Sequence, residues 1–277
     1  MKKQISLFMI IILVLSSLLV ACGKDNEANF KDNNSEIESY TLEGIKNKGK
    51  LIMGTSADYP PFEFHKMIDG EDTIVGFDIE IAKHIADELG VELEIKDMEF
   101  DKLLGGLSTG MLDMVIAGMN PDPEREANFT DIYYEANLSV LVNKEDESKI
   151  TTLEDLEGKS IGVQIGTTQE EIAQEKIKDA DVKSLSTNPD IVMNLKTKKI
   201  DCALMEAPVA ESFAKVNEDI VVVEGLNIDT DANGVAIAVK KGNDELTEKL
   251  NEILAEAKSK GLLDKWLVEA DELNNEN

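Results

Sequence analysis

The sequence predicts an α/β protein with two lobes, each built around a mainly parallel sheet. From about Tyr40 onward, short apolar runs typical of buried strands alternate with apolar stripes at helical spacing. Such alternation is typical of βαβ units, in which ligands bind where strand C-termini meet helix N-termini. The strand-like runs are too numerous for one small sheet, and this favours two lobes.

The first series of elements follows Tyr40. Ile81, Ile85 and Leu89 recur every fourth residue, and Gly90 after them is a typical helix stop. A second helix begins near Leu103. Strands are predicted at 50–54, 91–95 and 114–117.

The second series starts near Asn137. Helices are predicted at 169–178, after Asn188, and along the stripe that ends before Gly261, and Trp266 is expected to pack the tail onto a lobe. Strands are predicted at 138–142, 160–163, 182–185, 202–205 and 235–239.

The N-terminus predicts export. Two lysines precede an apolar run at 7–15, which is too short for a comfortable membrane span, and the run indicates a signal peptide at 1–21. The ending at 19–22 resembles the lipobox of bacterial lipoproteins, in which the cysteine, here Cys22, is acylated and becomes the new N-terminus. An ordinary signal peptide with an incidental cysteine and an uncleaved anchor are the alternatives. Residues 22–40 are mostly polar and predict a flexible, lipid-anchored linker.

The formal charge of −28 argues against nucleic acid as a partner and against electrostatic adhesion to anionic lipid. Membrane contact is therefore expected through lipid on Cys22, at the outer face of the bacterial cell membrane. Acylation of Cys22 would leave Cys202 without an intrachain disulfide partner, and its apolar neighbours predict a small buried side chain. Neither histidine has metal-ligand spacing, so we expect no metal and no cofactor.

Two strand-to-helix junctions could hold an anion. At the first, Asp122 and Pro123 predict a helix start that places Arg125 in the first turn. At the second, Thr168 and Glu171 have the spacing of a capping box. Free backbone N–H groups and a guanidinium group suit a carboxylate. Each junction alone is more often just a well-capped helix, but two in one chain favour a site.

A third candidate is Glu206, which a predicted buried strand delivers to a sheet edge. An acid there could pair with an ammonium group, or it could be a solvated loop acid.

Several stretches together resemble the polar-amino-acid branch of the periplasmic-type solute-binding proteins, the receptors of ABC importers. The resemblance covers about residues 45–267. The stretches that carry it are 54–64 (GTSADYPPFEF), 75–78 (VGFD), 118–125 (GMNPDPER), 129–134 (FTDIYY), 166–168 (GTT) and 206–208 (EAP).

The resemblance implies a type II periplasmic-binding-protein-like fold, with two mainly parallel sheets joined by two hinge strands. The lobes would be 41–135 plus 234–277, and 137–231, and they would close around the ligand about hinges near 135–137 and 231–234. A monomer is expected, because the receptor must dock a permease/ATPase complex.

The resemblance also implies roles for individual residues. Arg125 would clamp the α-carboxylate of a free amino acid, helped by the backbone N–H groups of Asn120 and Thr168 and by the hydroxyl of Thr167 or Thr168. Glu206 and the carbonyl of Gly118 would bind the α-ammonium group. Tyr59 and Phe100 would sandwich the side chain of the ligand, and Ser56 would help to determine which amino acid fits.

The chain departs from the family pattern in three places. The family usually has Asp at the position of Glu206 and Thr or Ser at the position of Asn120, and the interval from Arg125 to Phe129 is about two residues shorter. Receptors for cationic amino acids often have an acid at the position of Ser56. Its absence here favours a neutral polar or small amino acid.

The chain is therefore interpreted as a receptor and not as an enzyme, with no catalytic residues. The alternative is a dehydratase of the cyclohexadienyl or arogenate type, related to these receptors, in which Glu206 would act as general acid. A sensor or adhesin domain of the same fold is a third class.

Overall fold

The structure is a computed structural model that describes residues 39–228 and 234–275. Its helices are α1 (Leu42–Lys48), α2 (Phe77–Leu89), α3 (Leu103–Ser108), α4 (Thr168–Glu175), α5 (Asn188–Lys196), α6 (Ala207–Val216), α7 (Asp244–Ser259) and α8 (Leu262–Asn275). Short 3₁₀ helices lie at Phe100–Lys102, Lys144–Lys149 and Leu153–Leu156.

The strands form three sheets. They are β1 (Lys50–Thr55), β2 (Asp58–Tyr59), β3 (Glu63–Ile68), β4 (Glu71–Val75), β5 (Glu92–Asp97), β6 (Met114–Val115), β7 (Ala127–Phe129), β8 (Leu138–Asn143), β9 (Ser160–Gln164), β10 (Asp181–Leu185), β11 (Cys202–Glu206), β12 (Ile220–Ile228) and β13 (Ala238–Lys240). The first sheet has the order β5-β1-β6-β13-β7, the second sheet β10-β9-β11-β8-β12, and a small hairpin sheet β2-β3-β4.

The α/β class and the two main sheets confirm the predicted fold class, and each main sheet is mixed. In the first sheet β1 is parallel to β5 and β6, whereas β13 is antiparallel to β6 and β7. In the second sheet β9 is parallel to β10 and β11, whereas β8 is antiparallel to β11 and β12. The antiparallel strands β8 and β13 are the first that the chain adds after it passes from one sheet to the other.

Most predicted elements are present at nearly their predicted bounds. The helix stop at Gly90 is a left-handed cap with φ 70°, a conformation that glycine adopts without a steric penalty. The predicted strand at 235–239 is shorter, because Val235 makes only an isolated bridge with Tyr134 before β13 begins. Trp266 of α8 packs against His84 of α2, with 5.3 Å between the ring centroids.

The two main sheets share one apolar cluster, and each also packs against a separate cluster of its own. A single cluster of buried side chains includes Met53 and Ile116 from the first-sheet part of the chain and Leu141 and Met205 from the second sheet. Aromatic rings of the first-sheet part belong to or pack against the same cluster: the Phe62 ring lies 6.0 Å from Tyr59 and 5.5 Å from Tyr134.

Two local predictions at the junctions are wrong. No helix follows Asp122: its carboxylate accepts the N–H of Glu124 at 2.7 Å, Arg125 N–H bonds the Asp122 carbonyl, and this single turn leads directly into β7. The helix α4 is capped one residue earlier than expected, by Thr167, whose hydroxyl accepts the N–H of Glu170. Glu170 then reaches back to the Gly166 N–H at 2.7 Å.

No helix within 39–228 or 234–275 is long and apolar enough to cross a membrane. The predicted signal peptide, Cys22 and nearly all of the predicted linker lie outside the described residues, as does most of the second predicted hinge.

Candidate functional site

A small cavity lies where the strands of both main sheets end. Its walls come from the first-sheet part of the chain and from β9 and α4 of the second-sheet part, and they are formed by Ser56, Tyr59, Glu63, Phe100, Ala117, Gly118, Asn120, Gln164, Thr167 and Gln169. About 10 Å³ is free to a water-sized molecule, which is room for about one water molecule.

A larger groove of about 910 Å³ adjoins the cavity and shares Asn120 with it. One wall carries Arg125 and Phe129, and the other is the exposed side of α4, with Thr168 and Glu171. Because Asn120 lines both, the cavity and the groove are together called the cleft below.

Eight of the nine predicted ligand-binding residues line this cleft, and the ninth, Glu206, contacts one of its lining residues. Arg125 and Thr168 line the groove, and Glu206 lies behind the cavity wall, hydrogen-bonded to Gln169. The other six line the cavity, namely Ser56, Tyr59, Phe100, Gly118, Asn120 and Thr167.

Arg125 spans the cleft. Its Nη2 donates to the carbonyl of Gly166 at 3.1 Å, and its guanidinium carbon lies 5.8 Å from the centroid of the Phe100 ring. Burial lowers the pKa of Arg125, while the carboxylates of Glu171 and Asp122 act in the opposite direction. Among residues 39–228 and 234–275, Nη2 is the guanidinium nitrogen that makes a hydrogen bond, and the N–H groups of the others suit an anion in the cleft.

Asn120 makes hydrogen bonds to both parts of the chain: to Thr168 at the start of α4 and to Gly234, where the chain has returned to the first-sheet part. Its Oδ1 accepts the hydroxyl of Thr168 at 2.8 Å, and its Nδ2 donates to the carbonyl of Gly234 at 2.9 Å. The amide therefore reaches two partners that the shorter Thr or Ser expected at this position could not both reach.

Tyr59 packs on the backbone of Gly118. Gly118 has φ 53°, and a Cβ there would lie 2.9 Å from the Tyr59 ring, so only glycine fits without a shift. The N–H of Gly118 donates to Asp78, and the Tyr59 hydroxyl accepts the N–H of Glu206 at 3.3 Å.

Glu206 is fully buried at the end of β11. Its Oε2 accepts from Gln169 Nε2 at 2.7 Å, whereas Oε1 has no hydrogen-bond partner among the described residues. Burial raises the pKa of Glu206 to about 8, so an empty site holds this group mainly as the neutral acid at neutral pH.

A second buried acid was not anticipated from the sequence. Glu63 is fully buried in the cavity wall, and no N–H or O–H group of the described residues donates to its carboxylate oxygens. Burial raises the pKa of Glu63 well above its ordinary value, and the neighbouring charge of Asp78 raises it further. Asp78, which accepts from Tyr133 and Gly118, has its pKa raised by burial to about 6.

Sequence reasoning also missed Gln164 and Gln169. A signal for Glu63 was present, because an acid between Phe62 and Phe64 in a strand-like run is flanked by side chains that must be buried. Gln169 follows the predicted cap directly, but its contact with Glu206 joins residues 37 positions apart, which no local pattern reveals.

Comparison with known proteins gives consistent matches over this architecture. A sequence profile of the bacterial extracellular solute-binding proteins, family 3, matches residues 51–269. The arginine-binding extracellular protein ArtP of Bacillus subtilis (strain 168) is 39% identical over 269 residues, covering 96% of each chain.

Solved structures of amino-acid-binding proteins also match this chain. The amino acid ABC transporter substrate-binding protein AbpA of Streptococcus pneumoniae, bound to L-arginine, superposes with a TM-score of 0.82 at 36% identity, covering 85% of this chain and 100% of that one. The ancestral amino acid-binding protein AncCDT-1, described as a precursor of cyclohexadienyl dehydratase, superposes with a TM-score of 0.74 at 34% identity, covering 82% and 98%.

Proposed function

The chain belongs to the bacterial extracellular solute-binding proteins, family 3, and we propose that the amino acid it captures for its ABC importer is cationic, with arginine the preferred ligand. The family and the relatives are binding proteins. The proposal concerns which amino acid is bound and which residues bind it.

The observation that carries the proposal is the distribution of charge around the cleft. Arginine as a ligand has one carboxylate and two cationic groups. Arg125 lies beside the cavity, and Lys176 and Lys241 line the groove farther along. Two fully buried acids, Glu63 in the cavity wall and Glu206 behind it, have carboxylate oxygens with no hydrogen-bond partner among the described residues. A buried carboxylate is stabilised as an anion only when a cation or several donors accompany it, so a cationic ligand supplies what these two groups lack.

The proposed contacts follow from this distribution. Arg125 holds the α-carboxylate with the backbone N–H groups of Asn120 and Thr168, near the N-terminus of α4. The ammonium group binds Glu206 and the carbonyl of Gly118. The hydroxyl of Thr167 already donates to Gln164 at 2.6 Å, so the hydroxyl of Thr168 is the more available donor.

The ligand side chain lies between the rings of Tyr59 and Phe100, with its guanidinium group directed to Glu63. Stacking between aromatic faces suits a planar cation. The expectation of a neutral polar or small amino acid rested on Ser56 alone, and the arginine-binding relatives do not support it. In this proposal Glu63 supplies the acid that Ser56 does not.

Ligand entry requires a more open form of the cleft, because the cavity has room for about one water molecule. We propose that the lobes, 41–135 plus 234–277 and 137–231, separate about hinges near 135–137 and 231–234. Ligand would favour the closed form because it touches both lobes only there.

The proposed site of action is the outer face of the cell membrane. A monomer held by lipid on Cys22, through the polar linker 22–40, would stay near its permease.

Catalysis is the competing function. AncCDT-1 is named as the precursor of a dehydratase, and Glu206, with its pKa near 8, is a possible general acid. The family and the curated relatives favour the receptor, because they are binding proteins.

A thermal-shift screen of the secreted part, residues 23–277, against the twenty amino acids tests the proposal, since bound ligand raises the melting temperature. We expect L-arginine to give the largest shift. Glu63→Gln, which preserves shape, should reduce the arginine shift and leave the glutamine response unchanged.

A largest shift with a neutral amino acid would overturn the cationic ligand but not the receptor. No shift with any amino acid, or consumption of prephenate or arogenate, would contradict the receptor function itself.

A further inference from the structure

A polar contact outside the ligand cavity joins β2, on the first-sheet side, to α5 of the second sheet's part of the chain. The carboxylate of Asp58 accepts two hydrogen bonds from Asn188: the backbone N–H bonds Oδ2 at 3.0 Å and the side-chain Nδ2 bonds Oδ1 at 3.1 Å. Asn188 is 1% exposed, so this is a closely packed contact.

The helix geometry explains why a carboxylate lies at this position. Asn188 is the first residue of α5, where backbone N–H groups have no partner within the helix and the helix dipole favours a negative charge. Thr187 caps the same helix from its own side by accepting the Asp190 N–H. Asp58 therefore provides the N-terminus of α5 with a second hydrogen-bond acceptor, which comes from the other side of the cleft.

The carboxylate also interacts with Gln164 at the cavity wall. Burial raises the pKa of Asp58 above its ordinary value, and the hydrogen bonds from Asn188 and Gln164 oppose that rise. Gln164 lines the cavity, and Asp58 precedes Tyr59, which lines it too. The contact thus lies at the edge of the ligand site without belonging to its walls.

We propose that Asp58 is a positioning residue that latches the closed cleft, slowing ligand release by holding the N-terminus of α5 against β2. This inference rests on the proposed function, since it requires lobes that separate. Opening would break the Asp58–Asn188 hydrogen bonds and leave both groups to water, so their free energy stabilises only the closed form.

A purely local role would behave differently. If Asp58 only stabilised the fold, its loss would lower the melting temperature of the free protein and leave the rate of ligand release unchanged. Separate measurement of association and dissociation rates distinguishes these cases, because a latch formed after ligand entry acts mainly on dissociation.

The test uses Asp58→Ala and Asp58→Asn. The matched control is Thr187→Ala, which removes an acceptor at the same end of α5 but leaves the hydrogen bonds across the cleft in place. Stopped-flow kinetics with L-arginine, or with the amino acid that gives the largest thermal shift, should show dissociation from Asp58→Ala faster by on the order of tenfold. Association should change by less than about twofold. Asp58→Asn keeps an acceptor oxygen and should fall between the parent and Asp58→Ala.

Thr187→Ala should lower the melting temperature and leave dissociation unchanged. Unchanged dissociation in Asp58→Ala, with the parent binding normally, would overturn the latch alone, and so would equal acceleration in Thr187→Ala. A parent protein that binds no amino acid would overturn the proposed function and the latch together.

Discussion

Gln169 donates to one oxygen of Glu206 at 2.7 Å, and the other oxygen of this fully buried carboxyl group has no partner among the described residues. Burial raises the pKa of Glu206 to about 8. An ammonium group beside the free oxygen would favour the charged form and lower that pKa again. Glu206 is therefore poised to change its protonation state when ligand binds.

Ligand binding near pH 7 should release protons. Glu206 is mainly protonated in the empty site at this pH, and contact with the α-ammonium group converts it to the carboxylate, so up to about one proton leaves per ligand. Calorimetry in buffers of different ionisation enthalpy measures this number directly.

Glu206→Gln keeps the shape of the side chain and should remove the contribution of Glu206 to this release. If arginine also deprotonates Glu63, arginine should release more protons than glutamine does. Binding without proton exchange in the parent would contradict the proposed pairing of ammonium with Glu206.

The stability of the unliganded protein should depend on pH with a defined sign. The folded-state pKa values of Asp78, about 6, and Glu206, about 8, lie above the ordinary values of 3.8 and 4.5. Between the ordinary pKa and the raised pKa of each group, the folded state therefore binds more protons at these two residues than the unfolded state does. The stabilising contribution is complete below about pH 4 and is lost as pH rises toward 8.

Denaturant unfolding at pH 5 and pH 8 would measure this loss. Glu206→Gln should reduce the difference between the two pH values, because glutamine does not titrate. An increase in stability from pH 5 to pH 8 would contradict the prediction.

Arg125 should be essential for affinity. Arg125→Ala leaves the ligand carboxylate without its cation in a desolvated cleft, and we expect affinity to fall by about a hundredfold or more. Arg125→Lys keeps the charge but loses the planar fork, so it should recover only part of the affinity. Lys241, which lines the same groove, is the matched control: Lys241→Ala should change affinity little. Equal affinity of Arg125→Ala and the parent, by calorimetry, would refute the assignment.

The sequence was most informative where apolar periodicity and turn residues agree. The stripe of Ile81, Ile85 and Leu89, followed by Gly90, predicted α2 correctly. One face of this helix is buried, and glycine readily adopts the left-handed conformation that ends a helix. The hairpin β3–β4 was missed because most of its residues are exposed, so little apolar alternation marks it.

The site was predictable in its positions but less so in its contacts. Strand ends placed Arg125, Thr168 and Glu206 in one region, as expected of an α/β sheet edge. Their hydrogen bonds to Gly166, Asn120 and Gln169 join residues 37 to 48 positions apart. Such pairings depend on how the two halves of the chain meet, which local pattern does not specify.

Gly76 should be needed for stability. It has φ 131°, and a Cβ there would lie 2.2 Å from the carbonyl oxygen of Phe62, a backbone atom that cannot move aside easily. Gly76→Ala should therefore cost about 2 kcal/mol or more of unfolding free energy. Gly105, in α3, has open space around its Cβ position, so Gly105→Ala is a control expected to be neutral or slightly stabilising. Equal denaturant midpoints for the two variants would contradict the argument.

Cys22 should carry the proposed membrane anchor. A bacterium that expresses the full chain should incorporate labelled palmitate into the parent protein, and Cys22→Ser should abolish the label and release the protein to the medium. Cys202→Ala is the matched control, because Cys202 is fully buried in the second sheet and its thiol is inaccessible to acylation. Its label should equal that of the parent. Label retained in Cys22→Ser, or lost in Cys202→Ala, would rule out Cys22 as the acylated residue.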